Sequence, residues 1–326
     1  MNFQNIEPEI YVIGLIHNLA FLKEEMTAYY PHWGFHSGHH GFLTYRMDKD
    51  YSLEEIRDLK VTFSLCQGKL LFSGTKEEVE AKALLASEIF EAITIHRWDL
   101  FEEKGEMGDR KNRGNVIDIL RTGKNVFHLG VRFQVRGDFA PFNGTSPIPM
   151  PENVPTTAYQ KLGEAFKHFR PHLAHEEVVL DIGCSPGGST YYLLSKGYRV
   201  IGVDPEPVSK VIGEEFKEGF LQLTRPFSAL KAKNLKGLPP VNWVVIDIDE
   251  PARETLSQVL KLMNKLDECL GLFLTVKLDI GFSIKDIEEL ESIAREHGYG
   301  DIRKSQLPSH DKEFCLFALK PEHERV

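Results

Sequence analysis

The chain has 326 residues, 42% of them apolar and 27% charged, which is the composition of an ordinary soluble globular protein of one to three domains. No run of eighteen apolar residues exists to span a membrane, and a formal net charge of −9 argues against a generally basic nucleic-acid binder. Four cysteines (Cys66, Cys184, Cys269, Cys315) lie far apart with no C-x-x-C, which excludes a zinc ribbon and a disulfide framework and fits a reducing cytosol.

Taken from the start, MNFQNIEPEI has no basic n-region, and His17 and Asn18 interrupt the apolar stretch 10–22, so no secretory signal is expected and the location is read as cytoplasmic. EIYVIGLI and GFLTYRM read as strands around a possible helix at 19–29. Between them HSGHHG carries His36, His39 and His40. Gly and Ser there indicate a loop, no acid or cysteine flanks it closely, and no metal is expected. TFSLCQGKLLFSG suggests a hairpin, 76–90 a helix, and NVFHLGVRFQVRG (125–137) a strand, together an α+β region. The stretch 104–136 holds eight basic residues (Lys104, Arg110, Lys111, Arg113, Arg121, Lys124, Arg132, Arg136) against Glu106, Asp109 and Asp118, a local +5 that a phosphate backbone would feel. Phe139 and Phe142 follow as candidates to stack on a base. IPMPENVPT (148–156), with three prolines, reads as a linker, giving domains 1–147 and 148–326.

The second half alternates: strands at 178–183, 199–204, 220–223, 243–249 and 272–278, helices opening at 187 and covering 212–217, 252–266 and 284–297, and a last strand at 313–320. Strands apolar on both faces, separated by helices, imply a mostly parallel, doubly wound α/β sheet. A second basic stretch, 217–236, sets Lys217, Arg225, Lys231, Lys233 and Lys236 against Glu218.

LDIGCSPGGST (180–190) reads as a cofactor cradle. Asp181 ends a strand, Gly183 permits a turn, and Gly187 and Gly188 open the helix; Asp204 ends the next strand, where an acid can accept the hydroxyls of an adenosine ribose. Dinucleotide enzymes share this layout but want G-x-G-x-x-G; here Cys184, Ser185 and Pro186 follow Gly183, and the proline removes a donor that a pyrophosphate would use. S-adenosyl-L-methionine has no phosphate and suits the turn.

SPGG directly after the first strand resembles the FtsJ-like ribose 2′-O-methyltransferases, and the resemblance covers the whole second half. It implies a class I (Rossmann-like) fold and a Lys–Asp–Lys–Glu catalytic set. Matching positions are Lys161 in AYQKLGEAF, Asp247 at the end of WVVID, Lys277 at the end of LFLTVK and Glu313 at the start of the last strand. The cofactor set it implies is Asp181, Gly183, Ser185, Pro186, Gly187, Gly188, Ser189, Asp204 and Asp247. PENVPTTAYQKLGEAF, DEPARETLSQVLKLM and SHDKEF narrow the resemblance to the RlmM group, whose members methylate large-subunit ribosomal RNA and carry ferredoxin-like and THUMP RNA-binding parts before the catalytic domain. The expected partner is therefore RNA, probed by a ferredoxin-like/THUMP-like N-terminal region. One departure concerns adenine: the family's acid after the third strand is replaced by Thr224, Arg225 and Pro226.

The chemistry implied is in-line displacement by a ribose 2′-oxygen on a sulfonium methyl, with Lys277 as candidate base. Burial and Lys161 would lower its pKa, Asp247 and Glu313 would raise it, and the sequence leaves the balance open. A [DNS]-P-P-[YFW] motif for amino-group methylation is absent, and no cysteine is placed for attack at cytosine C5. Two rivals stand: methylation of a small molecule or protein, and a non-catalytic ribosomal-RNA binder of the same fold.

Overall fold

A computed structural model describes residues 8–102, 104–106, 113–135, 146–216, 218–266 and 268–321. Its contacts divide the chain into two units, Met1–Thr145 and Ser146–Val326.

The first unit is α+β. Strands β1 (Glu9–Ile13), β2 (Gly34–His39), β3 (Phe42–Arg46), β4 (Cys66–Gly74), β5 (Thr94–Asp99), β6 (Lys104–Glu106), β7 (Gly114–Gly123) and β8 (Val126–Gln134) form one sheet in the order β2-β3-β1-β4-β8-β7-β5-β6. Only β5 and β7 run parallel; the other pairs are antiparallel. Helices α1 (Leu19–Tyr29), α2 (Leu53–Arg57) and α3 (Lys76–Ile89) accompany it. Thr75 caps α3 in a capping box with Glu78, which fixes its start. Along β7, Ile117 and Ile119 join Val79, Ala83 and Ala86 of α3 in one core cluster. Leu120 faces the other way with Tyr11 and Trp98, as strand alternation requires.

Three expectations change here. HSGHHG is not a free loop: His36 and His39 lie on β2, and His36 pairs with Glu9. The 62–74 segment is no hairpin, because Thr62 and Phe63 give their N–H groups to the buried carboxylate of Glu25 instead of to a strand. The first basic stretch is partly neutralised: Arg132 is buried against Asp118 (2.8 Å), and Arg121 pairs with Asp99 (2.7 Å) and Glu102 (3.3 Å). Arg110, Lys111, Arg136, Phe139, Phe142 and Lys217 lie outside the described residues.

The second unit holds α4 (Ala158–Phe169), β9 (Val178–Ile182), α5 (Gly188–Ser195), β10 (Arg199–Asp204), α6 (Lys210–Glu215), β11 (Phe220–Thr224), β12 (Trp243–Ile246), α7 (Ala252–Met263), β13 (Gly271–Lys277), α8 (Ile284–Glu296), β14 (Asp301–Ser305) and β15 (Glu313–Leu319). The sheet order is β11-β10-β9-β12-β13-β15-β14. The first five are parallel, and β15 is antiparallel to both of its neighbours. This is the mostly parallel α/β sheet that the alternation predicts, with β14 as an addition. Strand order reverses between β9 and β12, so a crevice opens beyond their carboxyl ends, the usual ligand position in such sheets. Helix α4 lies over β13 and β15: Phe166 stacks on Phe273 (5.0 Å between centroids) and Phe169 on Phe317 (5.4 Å). Among the described residues no helix is long and apolar enough to cross a membrane.

Candidate active site

The switch point brings the two halves of the site together. Gly183, at the end of β9, has φ +84°, and an added Cβ would stand 2.2 Å from the carbonyl oxygen of Asp247 at the end of β12. At Gly188 an added Cβ would meet Thr156 Oγ1 at 2.3 Å. These glycines are therefore required by the protein's own close approaches at the turn. Cys184 is buried, its thiol pushed upward by burial and the nearby Asp181 and Asp204, and it packs toward Gly202 as a small filler.

The cradle carries acids and no cation of its own. Asp204 accepts from the backbone N–H of Ser185 (3.1 Å) and of Glu206 (2.8 Å), while Ser185 Oγ donates to the Pro207 carbonyl. Pro186 accepts from the Ser209 N–H through its carbonyl, tying the turn to the start of α6. Asp181 is fully buried. Its Oδ2 accepts from Ser189 (2.8 Å) and Thr190 (2.6 Å), and its Oδ1 has no partner. Burial pushes its carboxyl up to about 6, against those two hydroxyl bonds, and the neighbouring Asp247 and Asp204 add to the rise. Three carboxylates around a turn from 181 to 190 that contains no lysine or arginine suit a positively charged ligand and disfavour a phosphate.

Four charged side chains meet beside this cradle. Lys277 Nζ donates to Asp247 Oδ1 at 2.7 Å and to Glu313 Oε2 at 2.9 Å. Lys161 pairs with Glu313 Oε1 and stands 3.9 Å from Asp247 Oδ2. The topology explains the convergence. Asp247 and Lys277 sit at the carboxyl ends of β12 and β13. Because β15 runs backwards, its first residue lies at that same edge, and Glu313 is the direct cross-strand partner of Lys277. Lys161 comes from the first turns of α4, held over the sheet by its aromatic face.

The electrostatic balance that the sequence leaves open is decided by the acids. Burial works to lower the Lys277 pKa, but Asp247 and Glu313 outweigh it and hold the ammonium well above its ordinary range. Burial also works against ionised Glu313, yet Lys161 and the other neighbours bring its carboxyl below the usual value. The Lys277–Glu313 pair thus rests as an ammonium and a carboxylate.

Sequence reasoning missed the residues that hold this arrangement. Glu164, one turn beyond Lys161 on α4, is fully buried and accepts from Ser309 twice, from N–H (2.9 Å) and from Oγ (2.7 Å). That clamps the β14–β15 connection to α4 four residues before Glu313. Next to it, His310 is buried with Nδ1 unpartnered, and burial drives its imidazole down to about 3 despite Glu313, so it is neutral. The phrase SHDKEF contains both residues, but only the spatial return to α4 gives them a role. Among the described residues no three metal-ligating side chains gather in one place.

Residues 156–281 match the FtsJ-like methyltransferase family. The chain is 32% identical over 177 residues to the ribosomal RNA large subunit methyltransferase M of Cellvibrio japonicus, covering 48% of this chain and 44% of that protein. It is 25% identical over 183 residues to the protein of that name from Thauera aminoaromatica, covering 52% and 47%. The chain therefore spans about half the length of the curated relatives it matches. Among solved structures, Aeropyrum pernix fibrillarin with bound S-adenosyl-L-methionine superposes with a TM-score of 0.38 at 13% identity, covering 62% of this chain and 81% of that one. The matched segment spans the cradle and three of the four tetrad residues, Lys161, Asp247 and Lys277, and lies within the second unit.

Proposed function

We propose that this protein transfers a methyl group from S-adenosyl-L-methionine to a ribose 2′-hydroxyl of RNA, with large-subunit ribosomal RNA as the substrate and the cytoplasm as the site of action. The observation that carries the reading is the closed tetrad of Lys161, Asp247, Lys277 and Glu313 at the edge of the cradle. The names of the matched relatives support the substrate.

The cradle residues fit the cofactor by charge. Asp181, Gly183, Ser185, Pro186, Gly187, Gly188, Ser189, Asp204 and Asp247 would hold it, and the acids among them match its positive centre. S-adenosyl-L-methionine supplies a methyl group already activated on sulfur. What remains for the protein is alignment of a hydroxyl and management of one proton. Lys277 and Lys161 present ammonium donors that can fix the 2′-oxygen in line. As the oxygen–carbon bond forms, the hydroxyl becomes strongly acidic, and its proton has two acceptors at hand in Asp247 and Glu313. The products are the 2′-methoxy ribose, a neutral thioether and one proton. Neutralising a lysine of ordinary pKa at pH 7 costs about 4.6 kcal/mol, and the upward shift of Lys277 adds to that, so transfer to a carboxylate late in the reaction is the lower route.

For RNA affinity, Lys231, Lys233 and Lys236 stand exposed on the connection leaving β11, where a phosphate backbone can reach them. The first unit is assigned the placing of a large substrate, as a ferredoxin-like/THUMP-like RNA-binding region. Mapping 2′-O-methyl marks on ribosomal RNA from cells with and without this gene tests the function. One lost mark is expected, and an unchanged map would refute the assignment.

A further inference from the structure

The turn after β13 carries an isoleucine at its tip whose side chain is fully exposed. Ile280 is more exposed than in an extended reference chain, at 109%. A single exposed apolar residue is ordinary on a protein surface; the place of this one is not. Three peptide steps of about 3.8 Å put its Cα within roughly 11 Å of the Lys277 Cα.

The turn is also firmly held. Leu278 N–H donates to the Lys312 carbonyl (2.9 Å) on the segment leading to Glu313, and Phe282 N–H closes the turn on the Asp279 carbonyl (3.0 Å). Gly281 lies at φ +92°, the left-handed position that a type II turn requires. Phe282 meets the fully buried Phe314 edge-on, with centroids 6.0 Å apart. The tip thus stands on a rigid base tied to two tetrad strands.

Around it the lip is acidic. Asp249, 3.8 Å from Lys277 and almost wholly exposed, is joined by exposed Glu250 and Asp279. A phosphate approaching here meets like charge. The face of a nucleobase carries no such charge and offers apolar surface to an isoleucine.

We propose that Ile280 is an apolar wedge that packs against a nucleobase beside the target nucleotide and holds that nucleotide out of its stack while its ribose enters the tetrad. The inference rests on the RNA reading above. Three residues from Lys277, this exposed side chain stands within reach of a nucleotide flanking a ribose bound there, and unstacking by an inserted aliphatic side chain is a general way of exposing one nucleotide.

The test uses the full chain and two RNA probes cut from a large-subunit ribosomal RNA transcript around the nucleotide that the wild type methylates. In one the target is paired within a stem; in the other it lies in an unpaired strand. Ile280→Ala and Ile280→Asp are expected to lower kcat/KM on the stem roughly tenfold or more. On the unpaired strand the loss should stay within about threefold, because little stacking remains to be broken. Ile280→Met should keep most of the stem activity. Equal losses on both probes, or none on either, overturn the wedge while leaving the RNA reading intact. A wild type that methylates no RNA overturns the RNA reading, and the wedge with it.

Discussion

Burial alone would move the Lys277 ammonium toward neutrality, but two carboxylates within 3 Å reverse the direction. Ser309 and Glu164 show the opposite case, a carboxyl whose pKa is raised by burial in spite of its hydrogen bonds. The consequence for Lys277 is kinetic. With its pKa held up, Lys277 does not become a neutral base between pH 8 and 10, so single-turnover rates should be nearly flat there; a climb approaching tenfold per pH unit would identify neutral Lys277 as the base. Asp181 gives a second pH test. Its folded pKa of about 6 lies above the unfolded value of about 3.9, so the folded protein holds the proton more tightly and loses stability as pH rises through that window. The charged form above pH 6 is the one that favours a cation. Affinity for S-adenosylmethionine relative to its neutral thioether product should therefore rise roughly tenfold between pH 5 and 7.5. Calorimetry measures it, and Asp181→Asn should flatten the trend.

At the scale of elements, the tetrad depends on α4 and the β14–β15 connection staying in register. Glu164→Gln retains shape and one acceptor but loses the charged bonds to Ser309. A misplacement of about 1 Å is enough to cost on the order of a hundredfold in rate, so kcat should fall at least tenfold while cofactor affinity holds. Loss of cofactor binding in that variant would show a general collapse instead of a positioning role. The same elements explain what was legible. Strands β9, β10, β12 and β13 are buried on both faces and read as unbroken apolar runs, which located Asp181, Asp204, Asp247 and Lys277 at strand ends. Strand β14, DIRKS, is a polar edge strand and gave no such signal. Strand β7 was hidden because its centre is the charged Asp118, and the hairpin expected before β4 failed because Glu25 claims the backbone donors. The basic stretch misled for a related reason: sequence cannot show that Arg121 and Arg132 find their acids on other strands.

The first unit holds two clusters of buried apolar side chains, and the second buries its own apolar residues, Leu180, Trp243, Leu272 and Phe317 among them. In the first, Asp118 is fully buried between Tyr11 Oη (2.5 Å), Trp98 Nε1 (2.7 Å) and Arg132 Nε (2.8 Å). Burial opposes its charge, but Arg132, His96 and Tyr11 hold it at about 2. That depressed value stabilises the fold above the unfolded pKa of about 3.9, and the contribution is lost as pH falls through 2. Asp118→Ala removes the carboxylate against which Arg132 is buried and should destabilise the first unit by about 3–5 kcal/mol, leaving cofactor binding by the second unit unchanged in calorimetry. At the scale of the whole molecule, the proposed tetrad acts on a ribose hydroxyl. The most direct measurement is transfer of labelled methyl from S-adenosylmethionine to a large-subunit ribosomal RNA transcript, with the modified nucleoside identified by mass spectrometry, for the wild type and Lys277→Ala. The wild type should yield a 2′-O-methyl nucleoside and the variant none, with cofactor affinity preserved in both. A methylated base, or full activity in Lys277→Ala, would contradict it.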